Sequence, residues 1–158
     1  MTVIKLAIII NAGPEVCFDL ARSIDFHMVS TGSTREKAIA GCTTGLIEFD
    51  QTVTWRARHF GVFQQFTSRI SVFDRPHHFR DEMVKGIFRS FCHDHYFHPL
   101  PGGRTEMTDE LHFESPLGVL GRVANWLCLE RYLRHFLTSR NHLIRTYAET
   151  GKYSEFIK

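Results

Sequence analysis

Between Phe91 and His98 the chain reads FCHDHYFH, three histidines and one aspartate interleaved with aromatic side chains. Imidazoles and carboxylates at this density offer three kinds of chemistry. They can ligate a metal, since tetrahedral zinc takes three or four such donors. They can move protons, because a carboxylate beside an imidazole fixes its tautomer and tunes its titration. They can also be the few polar groups of an otherwise apolar small-molecule pocket. Other reactive signatures are missing: there is no G-x-S-x-G, no Gly-rich phosphate loop and no zinc-finger spacing. The PGGRT segment at 101–105 joins two extended runs with no helix behind it, so it reads as a hairpin turn.

Strand parity separates these residues, because side chains two apart on a strand share a face. Phe91, His93, His95 and Phe97 fall on one face; Ser90, Cys92, Asp94, Tyr96 and His98 fall on the other. The three histidines and Asp94 therefore cannot all grip one ion, and Cys92 cannot act as a nucleophile partnered by His93. Neighbouring runs sort the same way into an apolar face and a charged one. The apolar faces are Val53, Trp55, Ala57 and His59; Phe79, Asp81 and Met83; and Thr105, Met107, Asp109, Leu111 and Phe113. Five titratable groups thus sit among apolar neighbours: His59, Asp81, His93, His95 and Asp109. A carboxylate buried without a partner is costly, so each needs a hydrogen bond, an ion pair or water. Asp81 or Asp109 opposite the two histidines would supply such a pair.

Three readings compete for this group. Any single histidine is by default a satisfied internal polar residue. His93 and His95 with Asp81 or Asp109 have the donor types of a zinc site, but H-x-H arises readily by chance among ten histidines. No metal and no cofactor is assigned. Taken together, the five residues read best as the polar groups of a pocket.

The elements that must position them follow from the rest of the chain. A length of 158 residues suits one domain, 1–158, with room for a sizeable core. Fourteen phenylalanines can fill a core or line an apolar cavity. A net charge of +2 makes no case for nucleic acid, which calls for a strongly basic face. Cys17, Cys42, Cys92 and Cys128 form no C-x-x-C pair; without a secretory signal they read as reduced, mostly buried cysteines of a cytoplasmic protein. The apolar start VIKLAIII is too short to span a membrane, so no integral membrane segment is expected.

Val3–Asn11 reads as a first strand, stopped at Gly13-Pro14. Pro14 and Glu15 suit the first turn of a short helix, and a second follows near Ser23 or Asp25. From Lys37 to Phe113 come strand-like runs, including GLIEF at 45–49, separated by turn signals, and the short links favour an antiparallel meander. After Pro116 the period becomes helical until Gly151. Leu129, Leu133, Phe136, Leu137, Leu143, Ile144 and Tyr147 form one face, with Arg131, Arg134, His135, Thr138, His142 and Arg145 opposite. Leu120, Val123, Ala124 and Leu127 are offset from that stripe, which implies either a break near 125–127 or a different packing partner.

This order, with NAGPEVCFDLARSIDFHMVS, HFRDEMVKGIFRSFCHDHYF, EMTDELHFESPLGVLG and RYLRHFLTSRN as its local carriers, resembles the START-like (SRPBCC) superfamily over essentially the whole chain. The resemblance implies an α+β helix-grip fold: a curved, antiparallel seven-stranded sheet around a long C-terminal helix, with two short helices between strands 1 and 2. It also implies an apolar cavity that binds a hydrophobic small molecule, of lipid, quinone or polyketide-like kind. Trp55, His59, Phe79, Asp81, Met83, Phe91, His93, His95, Phe97, Met107, Asp109, Phe113, Leu133 and Phe136 are the expected ligand-binding residues, with 114–121 as a gate. The superfamily has no universal catalytic motif. The alternative function is a cyclase or dehydratase with His93 or His95 as general acid or base. A monomer or homodimer suits either, and an exposed basic surface including Arg56, Arg58, Arg131, Arg134 and Arg145 is by default a solvated face.

Overall fold

The structure, a computed structural model, describes residues 1–59, 61–115 and 118–157, and side chains for 1–59, 61–115 and 128–157. The β-branched run Thr2–Ile10 forms β1, with Ile4 and Ile10 turned into the core. Pro14 then opens α1 (Pro14–Arg22), its missing N–H costing nothing in a first helical turn. Ser23 ends α1 and caps α2 (Ile24–Ser30), accepting a hydrogen bond from the Phe26 N–H. The strands β2 (Lys37–Gly41), β3 (Thr52–His59), β4 (Val62–Asp74), β5 (His78–Lys85), β6 (Ser90–Leu100) and β7 (Arg104–Glu114) follow. The helix α3 (Gly118–Glu149) is continuous, with no break at 125–127.

The seven strands form one antiparallel sheet in the order β1-β7-β6-β5-β4-β3-β2. Register shifts interrupt the β4–β5 pairing at Thr67/Ser68 and Ile70/Val72, the kind of extra residue that bends a strand and helps a sheet curl. GLIEF is not a strand. Leu46 makes one isolated bridge to Ser23, and Ile47 N–H donates to the Arg22 carbonyl, so this segment is tied to the α1–α2 junction instead of a sheet neighbour.

Two groups of buried side chains hold the sheet to the helices. Under α1 and the C-terminal half of α3, Phe18 stands edge-on to Phe73, Phe79 and Phe97 at 5.2–5.4 Å. Near the other end, Leu137 packs with Ile4, Leu111 and Phe113. Of the cysteines only Cys17 is buried; Cys42 and Cys92 are partly accessible and Cys128 is exposed, and all four are free thiols. No helix among the described residues is long and apolar enough to cross a membrane.

Candidate functional site: a cavity with two polar ends

A cavity of about 190 Å³ lies between the concave face of the sheet and α3. That is far more than the ~10–15 Å³ a single water needs. Its wall is mostly apolar, with Trp55, Phe66, Phe79, Phe91, Leu133 and Phe136 contributing from four strands and the helix. Two groups of titratable side chains gather at that wall, and Arg22, Ser23, Gln64 and Gln65 also line it.

The first group lies on β5, β6, β7 and α3. His93 and His95 line the cavity, while Asp109 lies behind them with no exposed surface. The register explains the grouping: β6 pairs with β7 so that His95 stands opposite Asp109, and β5 pairs with β6 so that Asp81 stands opposite His93. His93 Nε2 donates to Asp109 Oδ1 at 3.1 Å, and His95 Nδ1 sits 2.6 Å from the same oxygen, though off the hydrogen-bonding direction. The Asn141 amide, one turn from Leu137 on α3, donates to Asp109 Oδ2. Burial works against a charged Asp109, but the two imidazoles and these hydrogen bonds hold its carboxyl well below the usual range. His95, stacked on Phe79 at 4.3 Å, is pushed by burial and by His93 down to about 3, so it is neutral at ordinary pH.

Asp81 behaves differently. It lines the cavity, its Oδ1 has no hydrogen-bond partner, and burial raises its carboxyl pKa against the weaker opposing influence of Ser68 and His93. Arg140 also lines the cavity and is 4% exposed. Its Nη2 donates to the Ala21 carbonyl at 2.9 Å.

The second group is formed by α2, the loop before β2, β3 and α3. His27 Nε2 donates to Glu36 Oε2 at 2.6 Å, and its ring lies against Trp55 at 4.2 Å. His59 Nε2 is 3.8 Å from Glu36 Oε1, and His59 Nδ1 is 2.7 Å from the Tyr132 hydroxyl. Burial raises the Glu36 pKa, but His27 and His59 outweigh it and leave the carboxyl lowered. His59 is lowered by burial, with Glu36 pulling the other way.

His93, His95 and Asp109 each offer a ligand atom, mutually within 4.8 Å, so among the described residues these three have the spacing to hold a metal ion. His93 Nε2 and His95 Nδ1 already face one carboxylate oxygen, the first through a hydrogen bond, and a metal would have to replace this arrangement. Chemically, the group can orient a polar ligand atom or exchange a proton with it.

Of the fourteen residues expected at the ligand, nine line the cavity: Trp55, His59, Phe79, Asp81, Phe91, His93, His95, Leu133 and Phe136. Five do not line it. Phe97 and Met107 have no exposed surface and are roofed by α1 and α3, and Phe113 packs into the Leu137 group. Asp109 is screened by the histidines and Asn141. The Met83 thioether turns over Gly86 beside Phe66, so closely that a Cβ at Gly86 would lie 2.8 Å from its sulfur. The expected gate lies, from Pro116 onward, outside the residues whose side chains are described. Asp94 sits on the convex face as parity requires, yet is only 3% exposed because Arg80 and His78 close over it with hydrogen bonds of 2.6–3.1 Å.

Parity on single strands does not find His27, Glu36, Tyr132, Arg140 or Asn141. For Arg140 and Asn141 a signal existed: positions 137, 140, 141, 144 and 148 make one helical stripe, and two of its members are polar. Nothing in the local sequence ties His27 and Glu36 to His59.

The same backbone recurs in solved structures. A protein from Thermus thermophilus matches with a TM-score of 0.76 at 15% identity, over 95% of this chain and 99% of its own. An aromatase/cyclase from Streptomyces sp. R1128 matches at 0.75 and 11% identity, over 94% and 93%. A START superfamily protein from Mycobacterium smegmatis matches at 0.68 and 12%, over 91% and 97%. No protein-family model matches the chain, and no curated protein matches it in sequence. What these likenesses show is the fold: the helix-grip fold of START-type proteins, with the seven-stranded sheet wrapped on a long C-terminal helix.

Proposed function

We propose that the protein binds a hydrophobic small molecule, of lipid, quinone or polyketide-like size and character, in the cavity between the sheet and α3. The observation that carries this reading is an apolar cavity of about 190 Å³ with histidine, carboxyl and guanidinium groups on its wall. Apolar surface supplies the burial, at about 25 cal/mol for each Å² of contact. The polar groups fix which end of the ligand goes where. Native mass spectrometry of freshly purified protein, followed by calorimetric titration with hydrophobic candidates, tests it. A bound mass, or saturable binding at one per chain, is the expected result. Protein that carries nothing and takes up nothing over a broad panel would overturn the proposal.

One observation favours a second reading, a cyclase or dehydratase. His93 faces the cavity while its Nε2 is held by a buried carboxylate, the arrangement that prepares an imidazole as acid or base. The comparison of wild type with His93→Ala decides between the two. A binder loses a modest part of its affinity, whereas an enzyme loses rate by about 10²–10⁴ with binding retained.

A further inference from the structure

Among the described residues, Arg140 is the polar group of the cavity whose bonding is least complete. Its side chain enters from α3, is 4% exposed, and satisfies one nitrogen, Nη2, on the Ala21 carbonyl. Nε and Nη1 are buried and have no hydrogen-bond partner. The acidic residues whose fields reach it, Asp109, Asp81 and Glu36, form no ion pair with it, and Asp109 is already committed to His93, His95 and Asn141. A guanidinium stays charged in proteins, and a buried charge left unpaired is destabilising unless a counter-charge arrives. The described residues supply none in contact.

On the same wall stands Asp81, whose Oδ1 is also buried and unpartnered. Burial favours the neutral form of this carboxyl, and in that form it offers an O–H donor on the wall that carries the guanidinium. The two groups have complementary needs that they do not meet in each other. Both would be met by one acceptor-rich, negatively charged group placed between them.

We infer that the cavity's ligand is a hydrophobic carboxylic acid, bound with its apolar body against the aromatic wall and its carboxylate on the free Nε and Nη1 donors of Arg140, with Asp81 as a second contact. The inference rests on the ligand-binding reading above and adds the chemical class. Charge argues for a carboxylate over a phosphate. Among the described residues a single unpaired cation faces a wall that also carries the Glu36 carboxylate, which would repel a dianion. Charge-assisted bonds from arginine to a carboxylate are among the strongest available in a dry site. The geometry leaves the Asp109 group a separate task, since its carboxylate is occupied from both sides.

Calorimetric titration with matched pairs tests the assignment: decanoate against 1-decanol, and 2-naphthoate against 2-naphthylmethanol. The wild-type protein should prefer at least one acid over its alcohol by about tenfold or more, which corresponds to about 1.4 kcal/mol. In Arg140→Met that preference should fall to near unity, and in Arg140→Gln it should shrink by at least threefold. Should Arg140→Met fail to fold, the wild-type preference and Arg140→Gln carry the test. Equal binding of acid and alcohol by the wild type, or a preference unchanged in the folded variants, overturns the carboxylate assignment alone. If none of the four compounds binds, the carboxylate assignment falls, while the cavity reading is decided by the broad panel and the native mass.

Discussion

Asp109 has no exposed surface, and its two carboxylate oxygens serve three partners from two elements: His93 and His95 of β6 and Asn141 of α3. Removing one member of such a buried, paired group leaves the others without their counterpart. Asp109→Ala should therefore cost about 3–5 kcal/mol in urea unfolding, and a loss under about 1 kcal/mol would contradict this account. The same residues set the response to acid. His95 titrates near 6.5 in an unfolded chain but about 3 in the folded one, so the unfolded state binds more protons between those values. Stability thus rises with pH through this window and is lost on acidification from about pH 6.5 downward, by up to about 1.4 kcal/mol per pH unit for one such group. Asp109, also depressed, acts in the same sense at the acid end, below about pH 4. His95→Phe should flatten the dependence of Tm on pH between about 6.5 and 4. An unchanged slope would show that His95 is not the group responsible.

At the scale of elements, the sheet's concave face is covered unevenly, and this gives otherwise similar phenylalanines different energetic weights. Phe18 of α1 is wholly buried with aromatic rings on three sides, so Phe18→Ala should destabilise by about 3–5 kcal/mol. Phe136 of α3 is partly buried and lines open cavity, where part of its surface has no packing partner to lose. Phe136→Ala should cost clearly less, about half or under, because dispersion contacts scale with neighbouring atoms. Denaturant unfolding of the two variants side by side checks the difference. Equal losses would mean that the cavity wall packs as tightly as the region under α1. The α1–α2 junction offers a smaller test: Ser23→Ala removes the cap on the Phe26 N–H and should cost about 1 kcal/mol.

At the scale of the molecule, binding and stability are coupled, since a ligand of the native cavity has no site in the unfolded chain. A cavity ligand at 100 times its Kd should add about 2.7 kcal/mol. For a chain of this size each kcal/mol shifts Tm by roughly 2–4 °C, so thermal shift reads the effect directly. A ligand that saturates by calorimetry yet leaves Tm unmoved would be bound elsewhere than in the folded cavity.

How much of this was legible beforehand depended on the range of the interaction involved. Alternation and helical period are local, so the sequence alone determined the element order apart from GLIEF, the inward face of β6 and the facing of His59, Asp81, His93, His95 and Asp109. GLIEF misled because a short apolar run has no preference between a strand and a segment pinned by backbone hydrogen bonds to a helix junction. The pairing of Asp109 with His93 and His95 needed the β6–β7 register, which single-strand parity does not contain. Tertiary structure alone decided that α1 and α3 roof Phe97 and Met107 while Trp55, Phe91 and Phe136 stay open to the cavity. It alone brought His27 and Glu36 to His59, and left unpartnered atoms of Arg140 and Asp81 on one wall. These are relations between residues on separate elements, fixed by sheet curvature and helix placement, and no local period encodes them.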